Sequence, residues 1–189
     1  MRVTGVEPVA LLPLTSSDGI ELMKRRLAGL ALFSIAFAFV EAAVVFYLRQ
    51  ILAAELGGSD RSYKELLNLG FIVFVYPDAQ SMGNAQLGAV EVTREFCTIV
   101  MLAAIAYLSA HTLRQRIGGF LFAFSVWDLF YYLFLKVITG WPRGLLDIDV
   151  YFLLPVPWIG PVLTPLVIST VLLLVGVRLY LRDPGPQTA

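Results

Sequence analysis

Long runs of apolar residues, separated by short polar segments, dominate the pattern of this chain. A helix that crosses the hydrocarbon of a bilayer needs about 20 mostly apolar residues, because each residue advances the helix by about 1.5 Å. Four segments meet this length, and they predict membrane spans at residues 27–49, 88–110, 117–137 and 160–181. The chain is therefore predicted to be an all-α integral membrane protein, a four-helix bundle formed by residues 27–181.

Two further apolar stretches are too short to cross a bilayer as helices. Residues 66–76 end at a Pro-Asp pair, and residues 150–158 contain two prolines. We expect 66–76 to form a short interfacial or re-entrant segment that caps the outer face of the bundle. We expect 150–158 to be an extended, proline-stiffened segment that leads into the last span.

Basic residues are distributed unevenly between the two ends of the predicted bundle. The end that holds both termini carries Arg2, Lys24, Arg25, Arg26, Arg114, Arg116, Arg178 and Arg182, whereas the other end carries Arg49, Arg61, Lys64, Lys136 and Arg143. Cytoplasmic flanks of membrane spans hold an excess of Lys and Arg. Both termini are therefore predicted to be cytoplasmic, with the bacterial inner membrane as the localisation.

The segments outside the predicted spans are interpreted as tails. Residues 1–26 are expected to form a cytoplasmic tail that ends in a short juxtamembrane helix from about Gly19. Residues 182–189 are polar and proline-containing, and we predict that they are disordered.

Apart from the basic residues at the ends of the spans, ionisable residues lie inside three of the four predicted spans. They are, in chain order, Glu41, Glu91, Arg94, Glu95, Asp128 and Lys136. At about 1.5 Å per residue, all of them fall in the outer half of the bilayer. A charge at the centre of a bilayer costs at least about 2.5–3.5 kcal/mol on insertion scales, so we expect the helices to turn these side chains toward one another.

The spacing of these residues is consistent with shared helix faces. Glu91, Arg94 and Glu95 follow i, i+3, i+4 spacing on the second span. On the third span, Asp128, Tyr132 and Lys136 follow i, i+4, i+8 spacing. The predicted ligand-binding site consists of Glu41, Glu91, Arg94, Glu95, Asp128, Tyr132 and Lys136.

The charge balance of this cluster leaves two interpretations open. Four carboxylates face two basic groups, and a bound cation, protonation or a water-filled channel would relieve that surplus. In the other interpretation Arg94 binds Asp128 or Glu41, Lys136 binds a second carboxylate, and the network only fixes the helix register. Asp147 and Asp149 in the following loop either extend the acidic site or form a solvated turn.

The residue types in the cluster limit the metals and cofactors that it can bind. An all-oxygen site favours a hard divalent cation, Mg²⁺, Ca²⁺ or Mn²⁺, over Cu or Zn. The candidate ligands would be Glu91, Glu95 and Asp128. His111 is the single histidine, so a polyhistidine site within one chain is excluded, and no other cofactor is predicted.

Composition narrows the classes of function. Hydrophobic residues make up 58% of the chain and charged residues 15%, against about 45–50% and 25% in soluble domains. The formal net charge is zero, which argues against a nucleic-acid partner. The predicted partners are the lipid bilayer and, in one alternative, a membrane protein or a second copy of the chain.

Three functions fit these observations. The first is binding of a cation, proton or small polar group in the outward-facing cluster. The second is a structural or accessory subunit of a larger membrane complex, with the charges forming interhelical salt bridges. The third, a small intramembrane enzyme that uses paired carboxylates as acid and base, ranks last because no nucleophile or metal constellation is present in the sequence.

Overall fold

A computed structural model describes residues 16–56, 64–76 and 85–182 of the chain. The described elements are α1 (Ser16–Leu56), β1 (Glu65–Asn68), β2 (Val73–Val75), α2 (Ala85–Ser109), α3 (Leu113–Thr139), β3 (Ile148–Phe152), β4 (Trp158–Pro161) and α4 (Leu163–Leu181). The predicted juxtamembrane helix and the first predicted span both fall within α1. Most of the predicted N-terminal tail and nearly all of the C-terminal tail lie outside the described residues.

Three of the helices are long and apolar enough to cross a membrane. They are the segment Gly19–Gln50 of α1, together with α3 and α4. Large apolar side chains on these helices are exposed, among them Leu32, Val137 and Leu174. Such a surface is unfavourable in water and is expected where lipid surrounds the protein. The fourth helix, α2, is not among the three candidate spans, and its N-terminal half carries Glu91, Arg94 and Glu95.

Helix α3 packs most closely against α4 and α1. Close approach of α3 and α4 depends on two glycines that face each other. A Cβ atom on Gly118 would lie 2.6 Å from the backbone nitrogen of Tyr180, and one on Gly176 would lie 2.7 Å from that of Phe122. Small residues let helix backbones touch in this way and are typical of helix contacts in membranes.

The prediction of an all-α chain is wrong at one end of the helices. Four strands form an antiparallel sheet there in the order β1-β2-β4-β3. Residues 66–76, predicted to be an interfacial or re-entrant segment, contribute to β1 and form β2. Between these strands Gly70 adopts a φ of 84°, and its N–H donates to the side-chain oxygen of Asn68 at 2.8 Å. This left-handed glycine turn reverses the chain and ends any helix.

Short-range sequence features explain why these segments form strands. Val73-Phe74-Val75 and Ile148–Phe152 are rich in β-branched and aromatic residues, which favour extended backbone. Phe74 pairs with Trp158 across β2 and β4, and their rings meet edge to face with centroids 5.2 Å apart. The sheet lies where α1 and α3 end and where α2 and α4 begin.

Candidate binding cavity beneath the sheet

A cavity of about 120 Å³, here called the chamber, lies between the helices and the sheet. All four helices contribute to its wall, together with β3, β4 and Ile72. Its ionisable acidic and basic residues are Glu41 of α1, Arg94 and Glu95 of α2, and Asp128 of α3. Half of the other lining residues are aromatic: Phe124, Trp127, Tyr131, Tyr132, Tyr151, Phe152 and Trp158.

A second cavity of about 380 Å³, here called the vestibule, adjoins the chamber. The two cavities share the lining residues Val45, Arg94, Glu95, Tyr131 and Tyr151. The vestibule is further lined by Glu91 and by Arg49, Trp141 and Asp149. Charged side chains therefore continue from the chamber into a larger space on the same side of the protein.

Arg94 joins two carboxylates on the α1–α2 side of the chamber. Its guanidinium pairs with Glu41 of α1, and its Nε donates to Oε1 of Glu91 at 2.7 Å. Thr98, one turn further along α2, donates its hydroxyl to the other oxygen of Glu41 at 2.9 Å. The i, i+3 and i+4 spacing around Arg94 brings these groups onto one face of α2, which explains why they meet α1 together.

Two buried carboxylates have only neutral donors. Glu95 accepts the backbone N–H of Leu153 at 2.7 Å, and Asp128 accepts the hydroxyl of Ser169 at 2.7 Å. Glu95 is 8% exposed and Asp128 is 7% exposed. Within the described ranges, neither carboxylate has a Lys, Arg or His nitrogen within 4.0 Å. The chamber therefore holds two acidic groups, one on α2 and one on α3, that no cation of the described residues contacts directly.

Asp149, on β3, lines the vestibule and contacts residues of both α1 and α3. Its carboxylate lies 3.5 Å from Nη2 of Arg49 and accepts the hydroxyl of Tyr132 at 3.0 Å. The guanidinium of Arg49 lies 4.2 Å from the ring centre of Trp141. Burial raises the pKa of Asp149 from 3.8 to about 6, although Arg49 and the hydroxyl of Tyr132 both lower it.

The structure brings most of the predicted site residues together. Lining the chamber are Glu41, Arg94, Glu95, Asp128 and Tyr132, whereas Glu91 lines the vestibule. Arg94 binds Glu41, which was one of its two predicted partners, and Asp128 is held by Ser169 instead.

Lys136 lines neither cavity. Its amine donates to the backbone carbonyls of Gly140 at 3.2 Å and Pro142 at 2.6 Å. The predicted pairing of Lys136 with a second carboxylate is therefore wrong. The reason is local, because α3 ends at Thr139 and the left-handed Gly140 turns the following carbonyls back toward the amine.

Asp147 and Asp149, which the sequence placed either in the acidic site or in a solvated turn, have different environments in the structure. Asp149 lines the vestibule and so extends the acidic cluster. Asp147 instead accepts the backbone N–H groups of Arg143 at 2.6 Å and Gly144 at 3.3 Å, as expected for a turn. Sequence reasoning missed Arg49 and Ser169 as site residues. A basic residue at the end of a span and a serine in an apolar helix are too common to reveal a specific partner.

The candidate metal set Glu91, Glu95 and Asp128 is not assembled. Glu91 lines only the vestibule and Asp128 only the chamber. In the part of the chain that the structure describes, no group of three or more His, Cys, Asp or Glu side chains could hold a metal ion. The predicted i, i+4 pair on α2 lines the vestibule, but its members have different partners, since Glu91 pairs with Arg94 and Glu95 accepts the backbone N–H of Leu153 after β3.

Known proteins give no independent guide to function, since the chain matches no protein-family model, no curated protein and no solved structure. The site's own chemistry is therefore the basis for inferring what it does.

Proposed function

We propose that the chain is an integral membrane protein in which α2 forms a fourth span beside the three candidate spans. Helix α2 has 25 residues, so its length of about 37 Å exceeds the roughly 30 Å of bilayer hydrocarbon. Its charged residues line the chamber and the vestibule, which removes the main objection to placing this helix in lipid.

The sheet-capped end is proposed to face outward, with both termini in the cytoplasm of a bacterial inner membrane. The Lys24-Arg25-Arg26 triplet lies in the half of α1 far from the sheet, and Arg178 lies in the last turn of α4 at the same end. An excess of Lys and Arg at this end is typical of a cytoplasmic face.

The proposed function is binding of a cation, proton or small polar group that enters from the outward face through the vestibule. The observation that carries this proposal is the pair of buried carboxylates, Glu95 and Asp128, which line a cavity and have only neutral donors in the described structure. A buried ionised carboxylate is unfavourable unless a charge or a proton compensates it. A ligand that carries positive charge supplies that compensation.

A second candidate, a structural or accessory membrane subunit, is favoured by a different observation. Arg94 of α2 is already paired with Glu41 of α1, a bond that fixes two helices without any ligand. In that case the whole cluster stabilises the bundle, or the surplus carboxylates meet a basic group of a membrane partner or of a second copy.

The two functions are separated by an Asp128→Asn variant of the purified protein in lipid nanodiscs. The binding function predicts that protons or cations change the tryptophan emission of the wild type saturably. The variant should keep its helical circular dichroism and its yield and lose this response. The accessory function predicts no response in either protein, a lower yield of the variant, and a stoichiometric partner in pulldowns from the membrane.

A further inference from the structure

The chamber has a wall that differs from those of ordinary inorganic ion sites. Two of its carboxylates, Glu95 and Asp128, have no cationic partner within 4.0 Å in the described residues. They share the wall with indole, phenol and phenyl rings, as well as with the Glu41–Arg94 pair and the hydroxyls of Thr98, Thr164 and Ser169. The rings form a continuous series: Trp127 contacts Phe124, Tyr131 and Phe152 with centroids 5.6 to 6.2 Å apart, and Phe152 meets Trp158 at 6.5 Å. A positive charge in this space would face aromatic surface on several sides.

The residues of this wall favour an organic cation over a hard divalent metal ion. Mg²⁺ and Ca²⁺ need about six to eight oxygen ligands, or must keep part of their water shell. The described residues contain no group of three acidic, histidine or cysteine side chains suited to a metal. A quaternary or other alkylated ammonium is less strongly hydrated than these metal ions, is attracted to the faces of aromatic rings, and needs only one or two carboxylates to balance its charge.

The size of the chamber sets an upper limit on the bound group. An apolar cavity of about 150 Å³ accommodates benzene, so 120 Å³ fits a group of about five non-hydrogen atoms. A trimethylammonium or a smaller alkylammonium head has this size. The vestibule, at about 380 Å³, can take the remainder of a longer molecule, including a polar tail near Arg49.

From the aromatic wall, the carboxylates and the volume together, we propose that the chamber binds the head of a small organic ammonium. This inference rests on the proposed binding function and specifies its ligand. Asp128 and Glu95 balance the charge, the face of Trp127 and its neighbouring rings contact the alkyl groups, and the vestibule admits the ligand. The ammonium head can belong to a free amine or to a lipid headgroup, because both present the same group to the chamber.

The experiment titrates choline into the full-length protein in phosphatidylglycerol nanodiscs and reads tryptophan emission. The chain's three tryptophans, Trp127, Trp141 and Trp158, each line one of the two cavities. We expect a saturable change with choline. The neutral isostere of choline, with carbon in place of the ammonium nitrogen, should bind at least about tenfold more weakly, as expected when a desolvated charge pair is lost. This wild-type comparison does not depend on the folding of any variant.

Two variants and a control extend the test. Asp128→Asn should weaken choline binding at least about 30-fold, and Trp127→Leu by about 5- to 30-fold. Glu21→Gln removes an exposed carboxylate in the N-terminal part of α1, distant from the chamber, and should leave binding unchanged. In phosphatidylcholine nanodiscs, a lipid headgroup as the source predicts an emission that is already shifted and insensitive to choline, whereas a free amine predicts the same titration in both lipids.

The outcomes distinguish this inference from the proposed function. Equal binding of choline and its neutral isostere, or a response to protons, Mg²⁺ or Ca²⁺ without one to choline, would overturn the ammonium assignment and leave a cation or polar-group site. No response to any of these probes in either lipid, with folded wild-type protein, would overturn both.

Discussion

The buried carboxylates on the two sides of the chamber have different partners. On the α1–α2 side, Glu41 is paired with the guanidinium of Arg94 and also accepts the hydroxyl of Thr98. On the α3–α4 side, Asp128 accepts one hydroxyl, from Ser169. Both carboxylates are almost fully buried, with 4% and 7% exposure, so burial does not separate them.

The difference indicates which charges hold the bundle together and which are available to a ligand. Removing one member of a buried ion pair leaves the other charged and uncompensated. Removing a carboxylate that has only a neutral donor leaves a single hydroxyl to be satisfied. Stability should therefore depend mainly on the Glu41–Arg94 pair between α1 and α2, and ligand binding mainly on the carboxylates with neutral donors, above all Asp128 between α3 and α4.

The largest expected effect is that of Arg94→Met. The substitution keeps much of the side-chain volume but leaves Glu41 and Glu91 without their shared cation, so it should lower the free energy of unfolding by about 3–5 kcal/mol. Unfolding in mixed detergent micelles, followed by circular dichroism, measures this change. Arg25→Met, which removes an exposed cation near Glu21, is the matched control and should cost less than about 1 kcal/mol. Equal stability of the two variants would refute an ion pair that stabilises the bundle.

The next effect concerns Asp149, which contacts Arg49 of α1 and Tyr132 of α3 and so links the two sides. Its pKa is raised in the folded protein to about 6 from 3.8, so the folded state binds the proton more tightly than the unfolded state. Its contribution to stability is fully present below about pH 4 and is lost as the pH rises through 6. Between pH 4 and a pH above 6, the unfolding free energy of the wild type should fall by on the order of 3 kcal/mol more than that of Asp149→Asn. Parallel stability profiles of the two proteins from pH 4 to 7 would contradict the raised pKa.

Hydropathy and helical spacing predicted the candidate spans and the charged face of α2, because both depend only on residues close together in the sequence. A long apolar run must be buried in protein or lipid, so the three candidate spans were visible in the sequence. The spacing of Glu91, Arg94 and Thr98 defines a face of any α-helix, whatever surrounds it. The tight grouping of these residues with Glu41 follows from that face and from the cost of charge in lipid.

Features that depend on contacts between distant segments were not predicted. The sheet joins strands of three to five residues, each too short for its periodicity to be distinguished from that of a short helix. Ser169 meets Asp128 only because α4 packs antiparallel to α3 at a register set by Gly118 and Gly176. The aromatic wall likewise combines α3 residues with Phe152 and Trp158, which the sequence placed in a connecting segment.

A smaller effect is expected where α3 and α4 touch. Gly176→Ala would place a methyl group 2.7 Å from the backbone nitrogen of Phe122, so the helices must separate. We expect a loss of about 1–3 kcal/mol in unfolding free energy, the usual cost of overpacking. Gly29→Ala, on an exposed part of α1 with no neighbouring atom within 4 Å, is the control and should be neutral or slightly stabilising. A neutral Gly176→Ala would show that α3 and α4 do not touch at this point.

The smallest expected change in stability is that of Asp128→Asn. Asparagine keeps an oxygen for the hydroxyl of Ser169, and no cation loses a partner, so the unfolding free energy should change by less than about 1 kcal/mol. Unfolding of this variant beside Arg94→Met, under the same conditions, compares the two sides directly. A loss for Asp128→Asn as large as that for Arg94→Met would remove the distinction between a structural side and a ligand side.

Thiol labelling determines whether Asp128 lies in an acidic chamber that is open to the outward face. In a Cys97→Ser background, Asp128→Cys and the exposed control Glu65→Cys would each be treated from outside with a trimethylammonium thiosulfonate and with its anionic sulfonate analogue. Relative to the control, we expect Asp128→Cys to favour the cationic reagent by at least about tenfold, because Glu95 remains in the chamber. An unreactive Asp128→Cys, or the same ratio of rates at both positions, would show that Asp128 does not lie in such a chamber.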